Sequence, residues 1–216
     1  MIRKPVVSGS FYPDNSDELE QMIQNCFTHR FGPDSNPPKQ SIERIFGVIC
    51  PHAGYMYSGP IASHSYYEIS SQEFDLAIII GPNHLAIGSK IATMSDAKWQ
   101  TPLGISEVDS ESSNELLTIA DNIEQDYFSH SKDHSLEVQI PFLQKIFPNN
   151  LKILPIIMAK QDIDAAKEVG NAISQIAKSK KTMIIGSSDF THYEENDFAH
   201  KQDCLLYTSP SPRDRG

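Results

Sequence analysis

The sequence predicts an α/β domain: a mostly parallel sheet with helices on both faces. Three observations carry that expectation. Short β-rich runs alternate with helical stretches along the chain. The run over residues 75–80 holds a continuous Leu-Ala-Ile-Ile-Ile, the pattern of a strand buried on both sides. The 216 residues suffice for one domain with a real core.

Residues 16–27 read as the first helix, because Leu19, Met22, Ile23, Cys26 and Phe27 recur on one helical face. Asn15 or Ser16 can cap it, and Asp17 and Glu18 suit its positive start. Residues 31–40, with Pro33, Pro37 and Pro38, read as a loop. The β-rich run 45–49 leads into Pro51-His52-Ala53-Gly54, and the run 75–80 into Gly81-Pro82-Asn83-His84. Residues 91–108, with Trp99 and Gly104, suggest irregular or hairpin β-structure. In the run 151–158, Pro155 predicts an edge or bulged strand, since proline cannot donate to a ladder. Residues 162–178 form a helix with Ile163, Ala166, Val169, Ile173, Ile176 and Ala177 as its apolar stripe. The run 182–185 ends at Gly186-Ser187-Ser188-Asp189. A last helix begins near Glu194; from residue 204 the composition shifts to Ser, Pro and Arg with no amphipathic period.

Composition narrows the function. With 18 basic against 28 acidic residues the net charge is −10, which disfavours binding to nucleic acid or to an anionic membrane. No apolar run approaches the roughly 20 residues of a membrane span, and the basic start is followed by no signal-like apolar region. Three cysteines make no disulfide framework, so a reducing, cytoplasmic setting is expected.

The chemistry is positional. Three β-rich runs end in ionisable groups: His52, His84, and Asp189 with His192. In open parallel sheets ligands lie beyond the carboxyl ends of the strands, so these distant side chains are expected to converge. Imidazoles and a carboxylate bind transition metals, and they also move protons near neutral pH. Asp189 and His192 read as a proton-transfer pair, or as a carboxylate that orients an imidazole. In Asp133-His134-Ser135-Leu136-Glu137-Val138-Gln139, His134 and Glu137 stand three apart and can share a helix face, with His134 lining the pocket. Pro141 kinks this segment or starts its second half. Cys50 reads as a small buried residue. Gly186-Ser187-Ser188 is not a nucleophile elbow, and the chain has no phosphate-binding glycine loop.

At these positions the chain resembles the Memo family, known in microbes as AmmeMemoRadiSam system protein B. The resemblance runs through Gly9-Ser10-Phe11-Tyr12-Pro13, Pro51-His52-Ala53-Gly54-Tyr55, Tyr57-Ser58-Gly59, Gly81-Pro82-Asn83-His84, Trp99 with Pro102-Leu103-Gly104, residues 134–143, and Ser187-Ser188-Asp189-Phe190-Thr191-His192-Tyr193. It implies a fold similar to the class III extradiol dioxygenases, LigB-like, and an iron or copper pocket held by His52 and His84. Where a third ligand is described in relatives it is a cysteine from a later segment, a role not carried onto Cys204. Asp189 and His192 match further pocket residues. Members are also described as binding phosphotyrosine peptides in this cleft, which makes Tyr55 and Glu137 candidate ligand-binding residues. Phe11 stands where many relatives have Trp. The family name further implies a radical-SAM partner protein. Because relatives continue well past residue 203, the domain is expected to span 1–203 in truncated form, with 204–216 foreign or out of frame.

Two functions follow as expectations. One is a metal-dependent, dioxygenase-like oxidoreductase acting on a small molecule, with His52 and His84 on the metal and His192, Asp189 or His134 handling protons. The other is a non-catalytic module that captures a phosphopeptide or another anionic ligand.

Overall fold

The structure is a computed structural model that describes residues 1–39, 44–148 and 151–208. The N-terminal segment opens with strand β1 (Ile2–Arg3), and helix α1 (Ser16–Thr28) follows. Asn15 caps α1 by accepting from the amides of Asp17 and Glu18. Strand β2 (Gly47–Cys50) leads into helix α2 (Tyr55–Ile69), and β3 (Leu76–Pro82) follows. Strands β4 (Ile91–Thr93), β5 (Lys98–Thr101) and β6 (Gly104–Glu107) fill the region expected to be hairpin-like. Helix α3 (Ser110–Ile119), strand β7 (Glu124–Gln125) and the short α4 (Tyr127–His130) come next. A 3₁₀ turn (Glu137–Gln139) passes into α5 (Ile140–Ile146), with Pro141 in its first turn where its missing donor costs nothing. Strand β8 (Lys152–Met158), helix α6 (Ile163–Ser179), strand β9 (Thr182–Ser187) and helix α7 (Asn196–Thr208) complete the order. Residues 204–208 of the expected foreign tail lie in α7, and 209–216 lie outside the described residues.

The main sheet has the order β2-β9-β3-β8-β4-β7. All its pairs are parallel except β4 with β8. The alternation of side chains divides the core in two. Ala77, Ile79, Ile153, Ile157, Met183 and Ile185 face α1, α2 and α5. Leu76, Ile78, Leu154 and Ile156 face α3 and α6. The expected α/β layering is therefore present. Helices α1 and α2 approach closely because position 59 is glycine: a Cβ there would lie 2.6 Å from Cys26 Sγ. Cys50 is fully buried, and burial pushes its thiol up to about 12, so it is a packing residue.

One strand differs from expectation. Pro155 lies on β8, which is interior rather than an edge, between β3 and β4. The reason is the length of the partner. The β4 ladder covers only Ile156, Ile157 and Met158, so Pro155 falls one residue beyond it. Its missing donor removes no bond from that pairing.

A smaller sheet, β1-β5-β6, carries the N-terminal segment. Here Arg3 is buried at 1% exposure. Its Nη1 donates to Glu137 Oε2 at 2.6 Å, its Nε to the His130 carbonyl at 2.8 Å and its Nη2 to the Asp133 carbonyl at 2.6 Å. The guanidinium also lies 4.1 Å from the Trp99 ring centre. Glu137 further accepts from the Val6 and Val7 amides and from the Tyr12 hydroxyl. The pair stabilises only while both charges are present, because a lone buried charge is costly.

Two outcomes follow. Arg3→Leu, which leaves the Glu137 carboxylate buried without a counter-charge, is expected to cost about 3–5 kcal/mol in urea unfolding. A loss of less than about 1 kcal/mol would contradict that balance. His130 is fully buried against Trp99, and burial and the Arg3 charge push its imidazole from 6.5 down to about 3. The unfolded chain then takes up this proton first, so stability is fully present above pH 6.5 and falls as the pH drops toward 3. Thermal melts across that range check this, and His130→Gln is expected to flatten the profile.

Candidate metal centre

The strand order places β2, β9 and β3 side by side, so their carboxyl ends open onto one crevice. His52 leaves β2, Asp189 leaves β9 and His84 leaves β3. The segment ahead of the 3₁₀ turn adds Asp133 and His134. His52, His84 and His134 each offer a ring nitrogen, and the three nitrogens lie within 4.8 Å of one another. The ring centres of His52 and His84 are 5.1 Å apart, and those of His84 and His134 stack at 4.6 Å. Phe11 packs on the outer side of His134 at 4.7 Å.

The rings of His52 and His84 are held from behind. His52 Nδ1 lies 2.9 Å from Ser187 Oγ, and His84 Nδ1 lies 3.0 Å from Asp133 Oδ2. The His84 amide donates to the same Asp133 oxygen at 2.7 Å, and the Ser135 amide donates to the other at 2.8 Å. Burial alone would raise the Asp133 carboxyl, but the bonds from Ser135 and His84 outweigh it and hold it below its ordinary range. Asp189 joins two strand ends: one carboxylate oxygen accepts from the His52 amide, and the other lies 3.8 Å from His52 Nε2.

Burial pushes His52 down to about 4; the pull of Asp189 does not compensate it, and His84 and His134 add to the depression. His134 is lowered as well, first by burial and then by His84. Both imidazoles are therefore neutral near pH 7, the form that binds a metal. Three imidazoles, two of them backed by oxygen atoms, suit zinc, copper, iron or nickel, so this donor set can hold a metal ion.

The structure brings His52, His84 and Asp189 together as the strand ends suggest. It adds His134 as a third imidazole. His192 is elsewhere: it is exposed, with Nδ1 3.2 Å from the Phe190 carbonyl and its ring beside Tyr193. The turn that carries it bends through left-handed Phe190 and Tyr193, at φ +56° and +60°. Tyr55 and Glu137 are buried behind the crevice. The Tyr55 hydroxyl donates to the Val138 carbonyl at 2.6 Å, and Glu137 is engaged by Arg3, Tyr12 and two backbone amides. Glu137 stands three residues from His134 without sharing its face, because the helical geometry begins only at Glu137. Asp133, Ser187 and Gln139 carry no role in the sequence reading. The one available signal is an aspartate next to a histidine, and it is weak.

Among the described residues no helix is long and apolar enough to cross a membrane. A family model described as Memo-like protein matches residues 3–215. A MEMO1 family protein of Nitrosopumilus maritimus is 59% identical over 206 residues, covering 95% of this chain and 74% of the relative. Relatives from Methanocaldococcus jannaschii and Ignicoccus hospitalis, also described as MEMO1 family proteins, are 44% and 38% identical over 214 and 210 residues, with the same two coverages. The family motifs, the α/β layering and the strand-end histidines agree with these matches, and the chain belongs to the Memo family.

Proposed function

We propose that His52, His84 and His134 hold one iron or copper ion and that the protein is a metal-dependent oxidoreductase acting on a small molecule. The convergence of three ring nitrogens within 4.8 Å carries this reading. A bound iron or copper ion would supply redox and Lewis-acid chemistry at its open coordination positions.

The chain's own groups have distinct tasks in this reading. The depressed basicity of His52 and His134 keeps their lone pairs free near neutral pH, so loading the site displaces few protons. Asp189, 3.8 Å from His52 Nε2 and with its side chain 21% exposed, faces the crevice and can accept a proton from a bound substrate. Phe11, packed on the His134 ring, covers that side of the site with an apolar ring. His192, on the exposed turn, is assigned to the rim. Capture of a phosphopeptide or other anion finds less support: His52 and His134 are neutral near pH 7, so they bring no positive charge to an anion.

Metal analysis and an oxygen electrode test the proposal. Protein loaded anaerobically with ferrous or cuprous ion is expected to retain about one ion per chain and to consume oxygen in proportion to it. His84→Ala and His134→Ala are each expected to lose at least tenfold in metal affinity. Unchanged metal content in a His52→Ala, His84→Ala double variant would refute the site. Tight phosphopeptide binding by metal-free protein, without oxygen uptake, would favour the binding module.

A further inference from the structure

The hydrogen bonds around the two strand-end histidines fix more than their position. Each imidazole has a buried oxygen at Nδ1, and the question is which partner owns the proton.

Behind His52 the chain of bonds begins at the Pro51 carbonyl, which can only accept. Gln139 bonds to it at 3.0 Å, so that atom of the Gln139 amide is the NH₂ group. The same NH₂ donates to Ser187 Oγ at 2.9 Å, and the amide oxygen takes the Tyr66 hydroxyl at 2.7 Å. Ser187 has one proton, and it goes to the Ser135 carbonyl at 2.6 Å. Toward His52 the Ser187 hydroxyl has only a lone pair left. The proton of that 2.9 Å contact therefore sits on His52 Nδ1. Behind His84 the chain of bonds is shorter. The Asp133 carboxylate already accepts two backbone amides, and an ionised carboxylate offers no proton. The bond at 3.0 Å is donated by His84 Nδ1.

Two unrelated devices thus impose the same tautomer on neighbouring rings. We infer that Asp133 and Ser187, the latter oriented by Gln139, are positioning residues that lock His84 and His52 as Nδ1–H tautomers and keep both Nε2 lone pairs free. A neutral imidazole in water divides itself between two tautomers, and only one of them leaves Nε2 able to bind an ion. Fixing it in advance removes that division and raises the basicity of the free nitrogen. The inference rests on the metal reading only for its purpose; the tautomers are a property of the metal-free chain.

The decisive measurement is a long-range proton–nitrogen correlation spectrum of metal-free protein at pH 8, assigned with His52→Gln and His84→Gln. Both rings are expected to show a protonated Nδ1 and a bare Nε2. A protonated Nε2 on either ring overturns the inference. In Asp133→Ala the acceptor at His84 Nδ1 is gone, so the His84 population is expected to shift toward Nε2–H while His52 keeps its tautomer. Zinc affinity is expected to fall about 10–100-fold in that variant. Unchanged His84 tautomer and unchanged zinc affinity together would overturn the role of Asp133. If the wild-type tautomers are as stated but no metal binds, the proposed function fails and the positioning inference stands.

Discussion

A guanidinium and a carboxylate, 134 positions apart in the chain and both out of contact with water, fasten the N-terminal segment to the wall of the crevice. Arg3 is bonded to the backbone at His130 and Asp133 on one side and to Glu137 on the other. Glu137 in turn gathers Val6, Val7 and Tyr12. These bonds set where the strand-free segment between β1 and α1 runs, and so where Phe11 meets His134. They also brace the loop that carries Asp133, which in turn orients His84. Such buried pairs are costly to desolvate, and their value here lies in fixing one arrangement of segments that are distant in sequence.

The crevice itself is a product of strand order. Parallel strands point their carboxyl ends the same way, and β2, β9 and β3 are neighbours, so three loops deliver polar side chains to one place. The apolar strand interiors close that place off from beneath, and burial there is what lowers the basicity of His52 and His134. Polar groups buried there are matched by partners: Ser187 and Gln139 behind His52, and Asp133 behind His84. Rings with fixed lone pairs are a condition for ion capture that no single residue could create.

Much of this was legible in the sequence, and the omissions have physical causes. The buried strand Leu76–Pro82 and the helix Ile163–Ser179 are announced by continuous and periodic apolar patterns. His52 and His84 are legible because each follows a β-rich run directly. His134 is legible as a pocket-lining residue but not as a third metal donor, since its place in the cluster depends on how a loop is held by Arg3. The supporting atoms are the hardest to foresee. Whether Asp133 or Ser187 touches an imidazole depends on angstrom-scale contacts between segments about 50 to 135 residues apart, and spacing carries no such information. Pro155 shows a different gap. Its effect on a ladder depends on how long the neighbouring strand is, and composition does not reveal that.

The Arg3–Glu137 tie has a consequence for the order of assembly. Arg3 can meet its partner only once Glu137, 134 positions further along, has also been made. Closing so long a loop costs entropy that only finished partners repay. The crevice wall thus joins two segments far apart in the chain, and neither can complete it alone.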